Sequence, residues 1–448
     1  MAALLPTHRV AAQDADSIPG VRLGLLYETR FEPVLAVQPF TGRFGGSGVA
    51  PDVEDIMARD LRNSDRFEML DSLPDAFVGG TGVDYGLWDQ LGVVWLVTGR
   101  VEGSGDGYVL LLELHDVVYG AVRESARISI PNRDAAGFRM AVHRASDRIV
   151  EWVFDEPGMA ASRIAFSVVD EERNQELWVI DSDGENLRRV TDFNSLTLSP
   201  TWSPDGRRMA YVSYKTDRPA LYEMDLVTGE ETLIEPGQEG QPITPAYSPD
   251  GSILSFSLVG GGRSGLFSYD VAEDCCLTRL TQGRWEDLSP TYSPGGEQIA
   301  FNSNRLGPAH PQIYVMPSRG GEATLISPYV YGSEGYFTSP DWSPTADQVV
   351  FHGRIEPGRY HVLVADLEDM GGSITQLTST GNNEDPSWAP DGRHVVFVGE
   401  RNYGYGLFIV DTATGRTRML LGGTRARIPS WSPQLGEGVT EAPVGGTR

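Results

Sequence analysis

The chain has 448 residues, 40% of them hydrophobic, and its 62 acidic against 36 basic residues give a formal charge of −26. That sign excludes the basic footprint a nucleic-acid backbone or an anionic lipid surface requires. Lys215 is the single lysine, so a phosphate loop ending in Gly-Lys-Ser/Thr is absent and a Schiff-base lysine has one candidate only.

Met1–Gln13 carries a short apolar patch and small residues at Val10, Ala11 and Ala12 suited to signal-peptidase cleavage, without a charged n-region. It reads either as the end of a secretory signal or as a loose terminus. No apolar run approaches the roughly 20 residues of a spanning helix, and direct membrane insertion is not expected. Val34–Val37 predicts a short strand. Val53, Ile56, Met57 and Leu61 recur at helical spacing over Asp52–Leu61. Phe67–Leu70 reads as a strand, Tyr85–Leu91 as a short helix, and Val93–Val101, Tyr108–Val117 and Ala121–Ile130 as an antiparallel meander. Asp134–Phe154 predicts a long helix starting from a cap near Asn132 and Asp134. These elements make a small α/β domain, with a brief link around Glu156–Ser162.

The second half is a repeat. Pro-x-Trp/Tyr-Ser/Ala-Pro occurs at Pro200–Pro204, Pro245–Pro249, Pro290–Pro294, Pro340–Pro344, Pro386–Pro390 and Pro429–Pro433. The aromatic positions are 45, 45, 50, 46 and 43 residues apart, the period of a four-stranded propeller blade. Each copy predicts a strand A, a turn such as Ser203-Pro204-Asp205-Gly206, then strands B (Met209–Ser213), C (Leu221–Asp225) and a short D. The region opens with Arg163–Val168 as strand B and has no strand A before it. It ends at Pro429–Ser432 as strand A with nothing after it. A six-bladed all-β propeller therefore predicts that the C-terminal strand completes the first blade, which removes the exposed edges.

Cys275 and Cys276 are the two cysteines. Neighbours on a strand point to opposite faces, so the plain reading is one buried and one exposed thiol; a vicinal disulfide in an oxidising compartment is the alternative. His143 and Asp147 stand i, i+4 and read as structural residues at the domain seam rather than ligands. The Asp181-Ser-Asp183-Gly184 stretch echoes a calcium loop but lacks the distal Glu and reads as a hairpin turn. No nucleophile elbow or zinc motif occurs, and no catalytic residue, resident metal or cofactor is assigned. The D-to-A loops gather at one channel mouth. They bring Gln241, Thr244, Arg284, Trp285, Glu286, Asp287, Tyr331, Tyr336, Asn383, Glu384 and Arg425 there as candidate partner-binding residues. With Glu239, Glu334 and Asp385 nearby, a basic partner or a cation such as calcium is expected at the channel.

The α/β domain, the Arg139…His143…Asp147 helix, the Arg163-Ile-Ala-Phe166 opening and six Pro-x-Trp-Ser-Pro-type blades together resemble the TolB family, the periplasmic propellers of the Tol-Pal system. Val21, Arg22, Leu23, Gly24, Leu25 and Leu26 are similar to that family's N-terminal arm. The resemblance implies a division into 1–20 (signal remnant or disordered end), 21–33 (arm), 34–158 (α/β domain), 162–433 (propeller) and 434–448 (disordered tail). It implies a monomeric, non-enzymatic periplasmic adaptor. Such an adaptor binds the peptidoglycan-associated lipoprotein Pal at the mouth and TolA through the arm, serving outer-membrane integrity and constriction at cell division. Gln241 and Thr244 stand where relatives carry a His and a small Ala. The competing functions are a propeller hydrolase or lyase working in the channel, and a scaffold of another secreted complex.

Overall fold

The computed structural model describes residues 21–23, 32–71, 82–328, 335–356, 358–368, 373–402 and 404–439. Strand β1 is Val21–Leu23. The N-terminal domain follows with β2 (Val34–Val37), β3 (Thr41–Arg43), α1 (Ala50–Asn63), β4 (Glu68–Met69), α2 (Tyr85–Gln90), β5 (Trp95–Ser104), β6 (Gly107–Asp116), β7 (Ala121–Ile130) and α3 (Phe138–Phe154). Its sheet runs β4-β2-β5-β6-β7, with β3 pairing β5. β2 is parallel to β4 and β5, and β5, β6 and β7 form the expected antiparallel meander. α1 and α3 cover one sheet face: Val53, Met57 and Leu61 meet Leu35, Val97, Leu112, Leu114, Val142 and Ile149 in one buried cluster. α2 plugs the other face with Trp88 against Ala36 and Leu96.

The long helix starts four residues later than its expected cap. The Asn132 side chain accepts the Asp134 N–H at 3.3 Å, closing a local turn that competes with helix entry, and Gly137 occupies the N-cap without a side-chain bond. At its other end, Asp155 takes a left-handed conformation, φ 56°. Pro157 and Gly158 then turn the chain back so tightly that a Cβ at Gly158 would lie 2.1 Å from Asp147 Oδ1. Only glycine fits there.

The remainder forms six four-stranded sheets, one of them extended to five strands by β1. Blade 2 is typical: Thr197–Trp202, Arg208–Ser213, Ala220–Asp225 and Glu231–Ile234 pair antiparallel in sequence order. In every blade the second strand places an aromatic ring in the centre. Phe166, Tyr211, Phe256, Phe301, Phe351 and Phe397 are all 0% exposed. Rings from the third strand stack on several of them, as in Tyr211–Tyr222 at 5.9 Å and Phe397–Phe408 at 5.8 Å.

Closure follows the expected mixing of ends. Ala426–Trp431 pairs antiparallel with Arg163–Val169 and forms the inner strand of blade 1. Trp431 Nε1 donates to Ser162 Oγ at 2.7 Å, and Ser432 N to the Arg163 carbonyl at 2.8 Å. Beyond it the chain does not run loose at once, which departs from a tail beginning at 434. Leu435 is buried with Met140 and Ala161, and Gln434 Nε2 donates to the Gly158 carbonyl at 2.9 Å.

At the domain seam His143 is fully buried, with Nδ1 2.8 Å from Asp60 Oδ2. Asp147 accepts the amides of Ala160 and Ala161 at 2.8 and 2.9 Å, so both act as seam residues rather than as a shared ligand pair. Burial pushes the Asp147 carboxyl up to about 7 in spite of those amide donors. Asp181 and Asp183, in the calcium-loop-like turn, pair instead with Arg163 and Arg139. Lys215 lies between the Phe193 and Tyr222 rings at 4.3 and 3.9 Å and pairs with Glu231 at 2.7 Å. Its ammonium is held structurally. Cys275 and Cys276 are joined as a vicinal disulfide, Cys276 having φ 65°, which replaces the reading of two separate thiols.

Removing residues 428–448 deletes most of the closing strand and should abolish the cooperative thermal transition of the propeller. Removing 437–448 keeps Trp431 and Leu435 and should leave that transition in place. Calorimetry of the two truncations checks this.

Candidate functional site

The channel wall is built by one irregularity repeated six times. Ser199, Thr244, Ser289, Ser339, Asp385 and Ile428 each precede the first proline of the repeat, and each has φ between 48 and 55°. At each of these points the register between the first and second strand of the blade slips, a β-bulge. Positive φ is costly for any residue other than glycine, most of all for β-branched Thr244 and Ile428. The bulge carries these residues, with the prolines that follow, into the lining of an axial cavity of about 460 Å³.

Below the bulges, the variable residue of Pro-x-aromatic joins adjacent blades. Thr291 Oγ1 accepts the Trp342 N–H at 3.1 Å, Asp341 Oδ2 the Trp388 N–H at 2.8 Å, and Ser387 Oγ the Trp431 N–H at 3.1 Å. Thr291 also donates its hydroxyl to Asp341 Oδ1 at 3.2 Å. Desolvation raises the Asp341 carboxyl above the usual carboxylate range, although these donors favour the anion. The second carboxylate of the wall, Asp385, accepts from Ser339 Oγ at 3.2 Å and from the Ile428 N–H at 3.4 Å. Its own amide donates to His352 Nδ1 at 3.0 Å, which requires a lone pair on that nitrogen. Burial lowers the His352 pKa and keeps that lone pair available. Ser199 Oγ is buried in the same wall without a hydrogen-bond partner.

The sequence-predicted mouth residues divide into two groups. Gln241, Arg284, Glu286 and Arg425 are exposed, and Trp285 is 37% exposed. Glu286 is steadied by Asn304, which accepts its amide at 2.8 Å and donates to its carboxylate at 3.0 Å. Tyr336 stands edge-on to Tyr360 at 5.6 Å, and Glu384 lies 3.6 Å from Arg427. Thr244 bonds Ser257 at 3.0 Å within the wall. Asp287 and Asn383 are buried and serve the scaffold. Asp287 holds Arg305 at 3.1 Å, and Asn383 donates to the carbonyls of Tyr360 and Thr380 at 3.4 and 3.2 Å. Tyr331 and Glu334 lie outside the described residues.

Of the arm, Val21–Leu23 pairs parallel with Ser373–Gln376, the outer strand of blade 5, while Gly24, Leu25 and Leu26 lie outside the described residues. Reading loops alone missed Asp341 and His352. The aligned repeats do mark Asp341, the one carboxylate among Thr201, Ala246, Thr291, Ser387 and Ser430 at that column.

The model of the family described as TolB beta propeller domain matches residues 150–435, and that of the TolB amino-terminal domain matches residues 29–122. Among curated relatives, a Tol-Pal system protein TolB from Methylococcus capsulatus is 33% identical over 213 residues, covering 46% of this chain and 49% of the relative. The corresponding protein of Albidiferax ferrireducens is 34% identical over 201 residues, covering 45% and 46%. The chain thus spans about half the length of the curated relatives it matches. The crystal structure of TolB from Acinetobacter baumannii aligns over 90% of this chain and 97% of its own, with a TM-score of 0.77 and 26% identity.

Asp341→Ala should leave the Trp388 N–H and the Thr291 hydroxyl without their acceptor. It should cost about 3 kcal/mol, the scale of two orphaned buried donors, read as a shift in the urea midpoint at unchanged slope.

Proposed function

Because the chain belongs to the TolB family, we propose that it is a binding adaptor of the Tol-Pal envelope system and not an enzyme. The observation that carries this reading is the joint presence of a small α/β domain, a closed six-bladed ring and an N-terminal arm strand in one chain, aligned nearly end to end with a TolB structure. The channel mouth is the docking surface for the peptidoglycan-associated lipoprotein Pal. Trp285 and Arg284 on one side, and Tyr336 with the Glu384–Arg427 pair on the other, offer the aromatic and arginine anchors that dominate protein interfaces. The arm is the segment recognised by TolA, and the adaptor thereby links the outer-membrane lipoprotein to the inner-membrane complex in envelope integrity and constriction. A protein partner agrees with a wall whose two carboxylates, Asp341 and Asp385, are bonded to amides and hydroxyls, an arrangement that fixes them in place.

The location we propose is the periplasm. The Cys275–Cys276 disulfide supports it, because such bonds persist in oxidising compartments. Among the described residues no helix is long and apolar enough to cross a membrane.

Calorimetric titration of the full chain with purified Pal from the same cell should give saturable one-to-one binding. Trp285→Ala should weaken it about tenfold or more, the scale of an interface anchor. No heat of binding at any accessible concentration would overturn the assignment. Deleting residues 1–26 should change the dissociation constant without lowering Tm; an identical constant refutes coupling between arm and mouth.

A further inference from the structure

One guanidinium stands between the root of the arm and the domain seam. After β1 the described chain resumes at Glu32, whose carboxylate lies 3.1 Å from Arg416 Nη2. The other terminal nitrogen of Arg416 lies 3.8 Å from Asp65 Oδ1, on the segment leaving α1. The second Asp65 oxygen is 3.4 Å from Nε2 of His394, the first residue of the second strand of blade 6. His394 is fully buried, and its Nδ1 is 2.7 Å from Asp391 Oδ2. One carboxylate and two guanidiniums complete the surroundings. Arg393 is bound to Asp411 at 2.7 and 2.8 Å and donates to the Asp65 carbonyl at 2.7 Å. Asp411 contributes a carboxylate oxygen close to the ring, and Arg418 adds a guanidinium whose terminal nitrogens are buried without hydrogen-bond partners. Three arginines in this company make the Asp65, His394 and Asp411 cluster a poor home for a metal cation and a good one for a proton.

We propose that His394 is a proton-operated latch for the arm. With the imidazolium in place, Asp65 and Asp391 are balanced, and Arg416 is left to hold Glu32 and keep β1 on blade 5. With the neutral ring, Asp65 lacks its counter-charge, draws Arg416 towards itself and releases the root of the arm. Burial opposes charge on the ring and Arg418 repels it, but Asp391 and Asp65 outweigh them and raise the His394 pKa. A raised folded-state pKa means that the stabilisation is complete below the unfolded value and is lost as pH climbs through the folded one. The latch is therefore closed on the acidic side and opens as pH rises. His143 occupies a separate cluster with Asp60, Asp181, Asp183 and Arg139, with no described contact to the arm. The inference deepens the reading of the arm as a partner-binding segment and rests on it for its biological meaning, but its chemistry needs no partner.

The test is hydrogen exchange of the intact chain across pH 6 to 9, corrected for intrinsic rates, at the Ser373–Gln376 amides that β1 covers. Protection there should fall several-fold with rising pH. Arg416→Gln, an exposed side chain whose loss the fold tolerates, should give low protection at every pH, and His394→Gln should do the same. Flat protection in the native chain, or an unchanged pH dependence in Arg416→Gln, overturns the latch. Since no partner is present, a failed Pal titration leaves this result unaffected, and the reverse also holds.

Discussion

Everything in this molecule depends on the pairing of Ala426–Trp431 with Arg163–Val169. It joins segments more than 250 residues apart, as the Ser432-to-Arg163 bond spanning 269 residues illustrates. The entropic cost of such a closure grows only with the logarithm of the loop, about 0.6 kcal/mol for each doubling, whereas the closed ring leaves no blade without a neighbour. An open ring would expose the inner strand of blade 2 and strand the Trp202 indole, which donates to the Ser430 carbonyl at 3.0 Å. The N-terminal domain sits on this same closure. Gln434 and Leu435, just past the last strand, pack against α3 and the linker. The buried ion clusters of the seam fall on blades 1 and 6 for that reason: those are the blades the closure brings together under α1 and α3.

The propeller was legible because two columns of the repeat report separate requirements. The central aromatic of the second strand reports packing, and all six are without exposure. The Pro-x-aromatic sequence reports the inner strand. Hidden from the repeat is the left-handed residue before each proline, since Ser, Thr, Asp and Ile share no side-chain property that favours φ near 50°. The conformation comes from the ring: proline fixes its own φ and donates no amide, and the neighbouring blade takes up the groups that the bulge frees. Strain of about 1–3 kcal/mol per such residue persists only where the surroundings over-determine it, as they do here six times. The late start of α3 has a local cause instead. Asn132 and Asp134 are good cap residues, but a turn of their own forms first.

Loop membership was a poor guide to which of the expected mouth residues are exposed. Asp287 and Asn383, expected in loops, lie at the start of the inner strands of blades 4 and 6, and both side chains satisfy the scaffold. A short polar side chain beside a strand end meets backbone and arginine donors at least as often as solvent. Asp341 shows the converse. It sits inside a strand, where an interaction reading does not look, and carries the bond that ties blade 5 to blade 6. Three of the inter-blade links use a residue that varies among Thr, Asp and Ser, and Ala246 offers no acceptor at the same column. At this column the polar links fall between blades 4, 5, 6 and 1, while blades 2, 3 and 4 are joined through Tyr247 to Glu223 and Tyr292 to Ser255.

The composition acquires a physical meaning at the seam. With one lysine in the chain, the guanidiniums of Arg139, Arg163, Arg393 and Arg416 neutralise the buried and half-buried acids. Arginine keeps its charge at every accessible pH and presents a fork that satisfies two oxygens at once. Asp411 is held below the usual carboxylate range by Arg393 and His394, and Asp391 at about 2 by His394 and the amides of Arg393 and His394, both despite burial. In such a lattice the imidazoles of His143 and His394, both raised by neighbouring aspartates against their burial, and the desolvated Asp147, pushed up to about 7, are titratable groups set among fixed charges. A lysine-rich seam would place more flexible point charges among the same carboxylates and spread the response over many of them. The arginine-only seam confines it to a few protons, each between the N-terminal domain and the blades that close the ring.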